Sequence, residues 1–463
     1  MMQKFLEMFK PVPDAGEMLT DAGEIKKKYR YWRIRMMYST FIGYAVFYFV
    51  RQNMSIAMPL MEKAMGIGKD SLGLFLTLHK LLYGVSKFLN GILGDRANPR
   101  YFMAIGLLMS ALMNIFFGFS SSVIAFGIFW MLNGWFQGMG FPPCARTLSH
   151  WFSPKERGTK WAMWNSSHQV GAGLILVLAG YLAGRELNLP IPSFLGRGPV
   201  FHLAGWQLCF IVPALIAMAT AFFAINRLRD TPGSLGLPPV EQYMNDEGAA
   251  VTKDSFDNES FKKFLRRHVF GNKYIWYISF ANFFVYILRY GFLDWAPSCL
   301  KEMKGIPLAH GGWITAGFEL FGLVGSVLAG WLTDKYLKSR RAPVCVAYMA
   351  VTLVLVMAFW KLPPGNTLNA TLLLFALGFF IYGPQFLVGV TTADLASKHA
   401  AATAIGLTGF FGYLSGIVSG YGMGLTVKLY GWDGGFYIMI VSAVLAALLF
   451  TLCWNARPMH EQV

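Results

Sequence analysis

Charge is what this chain has least of. Asp, Glu, Lys and Arg together make up 14% of its 463 residues, whereas a soluble domain carries about 25%. That shortage excludes an ordinary water-soluble domain. Acidic residues are the scarcer sign, 24 against 40 Lys and Arg, for a net charge of +16. Cysteine is rare too. Cys144, Cys209, Cys299, Cys345 and Cys453 are odd in number and none forms a close-spaced pair, so neither a disulfide framework nor a cysteine metal site is indicated. No nucleophile–base pair and no metal-ligating cluster stands out. That argues against an enzyme, and no cofactor or metal is expected. The first 33 residues are polar and lack a short apolar run ending at small residues, so no cleavable signal peptide is expected.

Hydrophobic residues are abundant instead. They form 55% of the chain, and the mean hydropathy is +0.45. Apolar runs of the ~20 residues that cross a bilayer recur near 36–58, 72–94, 101–119, 122–144, 160–184, 204–226, 273–297, 311–333, 342–361, 369–391, 401–428 and 432–454. This predicts an all-α membrane protein with about twelve transmembrane helices. The basic residues follow membrane topology rather than a nucleic-acid surface. Lys26, Lys27, Lys28, Arg30, Arg33 and Arg35 precede the first span, and Arg96 and Arg100 follow the second. Lys155, Arg157 and Lys160 lie between the fourth and fifth, and Lys262, Lys263, Arg266, Arg267 and Lys273 precede the seventh. Lys335, Lys338, Arg340 and Arg341 follow the eighth. All fall on one face if both termini are cytoplasmic. The opposite loops 62–70 and 120–122 carry no basic excess. The expected surroundings are a lipid bilayer, and no nucleic acid is expected.

Two arginines lie deep in apolar spans, each three residues after a tyrosine. They are Tyr48-Phe-Val-Arg51 and Tyr286-Ile-Leu-Arg289, at an offset of 238 residues. Gly91-Ile-Leu-Gly-Asp95-Arg96 and Gly330-Trp-Leu-Thr-Asp334-Lys335 close the second and eighth spans at an offset of 239. Gly180-Tyr-Leu-Ala-Gly184 and Gly420-Tyr-Gly-Met-Gly424 match at 240. A nearly constant offset implies a duplicated six-helix bundle, with the same orientation in each copy. Such parallel repeats are a transporter architecture. The expected domains are 1–226 and 273–463, joined by a flexible cytoplasmic linker over 227–272 that contains Asp230-Thr-Pro-Gly and Pro238-Pro239. Gly412, Gly416, Gly420 and Gly424 form a smooth stripe that another helix can approach closely.

Ionisable groups inside spans are functional candidates by default. These are Arg51, Lys87 in Tyr83-Gly-Val-Ser-Lys87, His168 in Trp164-Asn165-Ser-Ser-His168, Arg289, Asp294 and Glu319. The balance is positive, as an anion pathway requires. A guanidinium offers a planar fork that fits phosphate or carboxylate oxygens, and two forks from opposite halves can grip one phosphoryl dianion. Histidine ordinarily titrates near physiological pH, so His168 can add a charge-assisted hydrogen bond. Asp294 and Glu319 can hold the cations when the site is empty. Tyr44, Tyr48, Tyr286 and Tyr382 offer hydroxyl groups around the same space. Asp95, Arg96, Asp334 and Lys335, at helix ends, are expected to gate rather than to touch substrate.

These residues sit in longer motifs. They include Gly43-Tyr-Ala-Val-Phe-Tyr-Phe-Val-Arg51, Gly134-Trp-Phe-Gln-Gly-Met-Gly140, Lys155-Glu-Arg-Gly158, Val285-Tyr-Ile-Leu-Arg289-Tyr-Gly, Tyr382-Gly-Pro384 and Gly431-Trp-Asp-Gly-Gly435. With them the chain resembles, almost end to end, the organophosphate:phosphate antiporters of the major facilitator superfamily. The resemblance implies that Arg51 and Arg289 bind phosphate, and that His168 assists, with Asn165 beside it. It also implies that Lys87, Tyr44, Tyr48, Tyr286 and Tyr382 line the pore, and that Asp294 and Glu319 join ion pairs between the halves. It implies a monomeric carrier in a bacterial inner membrane that imports an organophosphate, such as glucose 6-phosphate, in exchange for inorganic phosphate by alternating access. The alternatives are glycerol 3-phosphate as substrate, or a membrane sensor of sugar phosphate that signals to a partner kinase. Gln52 departs from the family pattern, where many members have lysine. The ion-pair network therefore does not carry over whole.

Overall fold

The computed structural model describes residues 10–95, 97–190, 200–245, 266–337, 340–396 and 401–456. Nearly all of it is helix. In hydrocarbon every backbone N–H and C=O must be satisfied within the protein, and a helix does this along its own length. The helices in the first half are α1 (Ala22–Phe49), α2 (Asn53–Met65), α3 (Lys69–Asp95), α4 (Pro99–Phe119), α5 (Val123–Gln137), α6 (Phe141–Trp151), α7 (Pro154–Asn165), α8 (Ser167–Leu182) and α9 (Gly205–Arg227). A two-stranded antiparallel hairpin of β1 (Leu187–Pro190) and β2 (Val200–Leu203) precedes α9. The second half holds α10 (Lys273–Lys304), α11 (Leu308–Tyr336), α12 (Ala342–Lys361), α13 (Thr367–Leu395), α14 (Ala401–Leu414) and α15 (Met423–Leu452).

Local sequence sets the ends. Asp21 caps α1 by accepting from Glu24 N at 2.6 Å, and Asn272 caps α10 by accepting from Tyr274 N at 3.0 Å. Asn98 and Pro99 start α4 in the same manner. Gly305, at φ +70°, closes α10 with its N–H on Leu300 O, a left-handed conformation that favours glycine. Large apolar side chains such as Phe88, Ile124, Phe222 and Val327 stay exposed, as lipid-facing residues must. Among the described residues, seven helical stretches are long and apolar enough to cross a membrane by themselves.

Several expected spans are not continuous helices. The first, 36–58, breaks at 50–52, between α1 and α2. The fourth, 122–144, breaks at Gly138–Gly140, and the fifth, 160–184, turns at Ser166. The eleventh passes through a π-helical stretch, Ile417–Gly422, into α15, which kinks at Gly431 (φ +68°) before the twelfth. The first break is supplied with partners. Asn114 and Asn133 donate to Val50 O at 3.0 and 2.8 Å, and Gln137 donates to Phe47 O at 3.0 Å. Carbonyls released from the helix ladder are thus met by buried amides.

The chain forms two compact units. One comprises Met1–Asn53, Leu82–Ile175 and Gln207–Lys253. The other comprises Met54–Leu81, Leu176–Trp206 and Asp254–Val463. In the first, the start of the linker is not a loose tether. Buried Asp230 accepts from Arg146 at 2.9 and 3.0 Å and from Val12 N at 2.9 Å. Tyr29 stacks on Tyr243 at 4.0 Å and donates to Pro238 O. Burial pushes the Tyr29 phenol well above its ordinary value. The expectation of flexibility overlooked that an aspartate and two tyrosines can dock such a segment. Linker residues 246–265 lie outside the described residues.

Candidate functional site

The first unit builds one arginine cluster. Tyr44 and Tyr48 are four residues apart on α1, so they share a face, and their rings lie 5.9 Å apart. Arg51 follows in the break. Its guanidinium carbon stands 5.1 Å from the Tyr48 ring centre and 4.6 Å from that of Tyr83 on α3. Being just past the C-terminus of α1, it also meets the negative end of that helix dipole. α8 lies against α1 because Gly171 has no side chain: a Cβ there would strike the Ala45 backbone. Three residues earlier on α8, His168 faces Tyr48 with ring centres 5.7 Å apart, and its Nδ1 is hydrogen-bonded to Asn165 O. Trp164 packs on Tyr44 at 4.8 Å. Asn165 itself is exposed. Lys87, only half-buried, lies 4.7 Å from the Phe141 ring. The Gly138–Gly140 break makes room beside it, since a Cβ on Gly138 would stand 2.9 Å from Lys87 N.

The second unit builds another cluster. Arg289 on α10 is 7% exposed, and its Nε donates to Tyr382 Oη at 3.0 Å. Tyr382 in turn donates to Glu319. The guanidinium is ringed by aromatic faces, at 4.9 Å from Tyr382, 5.6 Å from Tyr290 and 5.7 Å from Tyr286. Close packing of α11 on α13 sets this relay. A Cβ on Gly325 would meet the Phe379 backbone at 2.8 Å or less, and one on Gly322 would meet the Tyr382 ring. Asp294, one turn beyond Arg289, pairs with Lys80 of α3. Sequence inspection did not single out Lys80, although it lies in the expected second span and only 4% of it is exposed.

The residues expected to gate lie at helix ends. Arg96 and the side chain of Asp95 lie outside the described residues. Asp334 is paired with Arg341 at 3.5 Å. Lys335 is exposed and lies over Trp331, 4.7 Å from the ring centre. All five cysteines are free and buried. Among the described residues no group of three His, Cys, Asp or Glu is arranged to hold a metal.

Comparison with known proteins fits this architecture. Residues 40–420 match the family model of the Major Facilitator Superfamily. The chain is 42% identical to a glycerol-3-phosphate transporter of Bacillus subtilis, covering 99% of this chain and 100% of that protein. It is 40% identical to a probable hexose phosphate transport protein of Chlamydia pneumoniae, covering 100% and 99%. In fold it is similar to the crystal structure of a bacterial homologue of the human lysosomal transporter Spinster, with a TM-score of 0.74 at 16% identity, over 92% of this chain and 97% of that one. With a superfamily match over most of its length and relatives of this identity from end to end, the chain belongs to the Major Facilitator Superfamily, in the branch that holds these phosphate-ester transporters.

Proposed function

We propose that this protein is a secondary antiporter of the inner membrane that imports an organophosphate in exchange for inorganic phosphate by alternating access. The observation that carries the proposal is the pair of aromatic-framed arginines. Arg51 and Arg289 recur at matching places in a duplicated chain, and each is set among tyrosine rings. We assign both to the phosphoryl group, with His168 assisting. Lys87, Tyr44, Tyr48, Asn165, Tyr286 and Tyr382 complete the path, and Asp294 and Glu319 balance charge. The duplicated bundles are 1–226 and 273–463, with both termini cytoplasmic. A hexose phosphate such as glucose 6-phosphate is the first substrate to try, and glycerol 3-phosphate the second. The two named relatives, at nearly equal identity, support both.

The electrostatics favour exchange. Excess positive charge carried into a low-dielectric interior costs several kcal/mol, so a substrate-free site in which cations outnumber carboxylates resists passing through an occluded state. Bound phosphate lowers that barrier. Proteoliposomes loaded with inorganic phosphate are therefore expected to take up labelled sugar phosphate or glycerol 3-phosphate, and unloaded ones are not. Rapid uptake into phosphate-free vesicles under a proton or sodium gradient would identify a symporter and overturn the proposal.

A further inference from the structure

The first unit carries a second cationic site, far from Arg51. A groove of about 610 Å³ is lined by Lys26, Arg30 and Arg33 of α1 and by Lys160 of α7. Among the described residues, Glu156 is the one carboxylate on its wall. Helical spacing gathers these groups. Lys26, Arg30 and Arg33 follow one another at i, i+4 and i+7 on α1, and Glu156, Lys160 and Met163 do so on α7. Each set therefore shares one face of its helix. Arg33 stands 49 − 33 = 16 residues before the end of α1 at Phe49, roughly 24 Å along the axis. The groove is thus separate from the aromatic cluster around Arg51.

Arg33 is held in place without being saturated. Its Nη2 donates to Glu156, and its guanidinium lies over the buried Phe152, 5.1 Å from the ring centre. Its Nη1 reaches the Met244 Sδ at 3.8 Å, a weak acceptor. Its Nε has no acceptor among the described residues. Lys160 stands 6.0 Å from the same Phe152 ring. Lys28 differs from these cations, because Glu24 takes it at 2.9 Å. Four cations against one carboxylate leave the groove short of negative charge, and a phosphodiester brings both that charge and acceptor oxygens. The rest of the wall is apolar. Tyr243, from the docked linker segment, forms part of it and is fixed by its stack on Tyr29 at 4.0 Å. Ile34 and Met163, one from each helix, are 60% and 57% exposed, so the groove has an open apolar side. A free sugar phosphate has nothing to lay there, whereas an acyl chain does. From Lys26 to Tyr38 is 12 residues, roughly 18 Å of helix against roughly 6 Å of headgroup layer. One face of α1 therefore spans both the headgroups and the start of the chains.

We propose that this groove binds an anionic phospholipid. The phosphodiester lies among Lys26, Arg30, Arg33 and Lys160, and an acyl chain runs along Ile34, Tyr38 and Met163. α1 and α7 begin the first and fifth expected spans. Both are odd-numbered, so their N-terminal ends face the same side of the bilayer, the cytoplasmic side on the proposed topology. Basic pockets between transmembrane helices on that side suit such headgroups. The site goes beyond transport and does not depend on which ester is carried.

The test uses the full-length protein in phosphatidylcholine nanodiscs that contain a phosphatidylglycerol with a photoreactive group on its acyl chain. Crosslinked peptides are mapped by mass spectrometry. In the wild type, labelling is expected at Ile34, Tyr38 or Met163. Unlabelled phosphatidylglycerol should compete with it, and added phosphatidylcholine should not. Glycerophosphoglycerol, the same phosphodiester without chains, should not compete either. Each cation at such a surface contributes about fivefold to the affinity. Arg30→Gln/Lys160→Gln should therefore weaken labelling by about twentyfold. Both residues lie on the groove wall outside the Arg33–Glu156 pair, so the variant keeps the contact that joins the two helices. Lys27→Gln/Lys28→Gln removes two cations of the same basic run from outside the groove, and labelling should stay within about twofold of wild type. Labelling confined to other parts of the protein overturns the site. Equal losses in the two double variants overturn it as well, because charge spread over the surface would then suffice. Competition by glycerophosphoglycerol as strong as that by the lipid would make the ligand a free phosphate ester and overturn the lipid assignment.

Discussion

Arg289→Lys keeps the charge of the second cluster and removes its fork. A guanidinium carries five N–H bonds. With Nε given to Tyr382 at 3.0 Å, four remain on the two terminal nitrogens, which suit two phosphate oxygens side by side. A lysine in that place has one ammonium, which must be divided between Tyr382 and the anion. The variant should therefore lose about one charge-assisted hydrogen bond to phosphate, roughly 1.5–3 kcal/mol. That is about a ten- to 150-fold weaker Kd. Two measurements check it on protein of wild-type abundance and thermal midpoint: calorimetry with inorganic phosphate, and phosphate:organophosphate exchange in proteoliposomes. Both should fall, and the exchange rate should not recover at saturating substrate if the fork also serves the occluded state. Phosphate affinity within twofold of wild type would refute the reasoning, because charge alone would then suffice at position 289.

His168 tests the protonic part of the site. Imidazole ordinarily titrates near 6.5; if the cationic form helps to hold phosphate, His168→Ala should weaken affinity most at low pH and flatten uptake between about pH 5.5 and 8. An unaltered profile would leave phosphate ionisation as its source. Asn133→Leu tests the support under Arg51. It removes one of the two amides on Val50 O and should cost about 1–3 kcal/mol, seen as a lower thermal midpoint in detergent. An unchanged midpoint would mean that the carbonyl at the break does not depend on Asn133.

The arginine duplication was legible because it needs only spacing and apolar context. The acids Asp294 and Glu319 were legible as the only carboxylates deep in the second-half spans. Their partners were not. Lys80 and Asp294 are 214 residues apart, and no local pattern announces a pairing of that range. Lys80 also lies two turns before Lys87 on the same helix, where depth alone does not distinguish a buried ammonium from one that reaches water. The break after Phe49 was hidden for a different reason. The sequence at the break, Val50-Arg51-Gln52-Asn53, is polar but has no proline or glycine to mark an interruption. The amides that sustain it come from α4 and α5. The break at Gly138–Gly140 had its glycines in view, yet a Gly-rich motif is compatible with both a packed helix and a turn.

Duplication placed the two arginines in different parts of their helices. Arg51 follows the end of α1, so part of its counter-charge is a backbone dipole that no ligand can displace. Arg289 is linked through the Tyr382 hydroxyl to a carboxyl group, Glu319, and sits one ring from Lys80 and Asp294. Those counter-charges are side chains, and an incoming dianion can take their place. A carrier with two identical, rigidly compensated cations would bind phosphate with little reason to change shape. One with a rigid cation in one half and an exchangeable network in the other has a defined place where binding is traded for the release of internal partners. Ligands move an equilibrium only by as much as they differ in affinity for its two states. On the proposed function, the side chains around Arg289 are where that difference is to be sought.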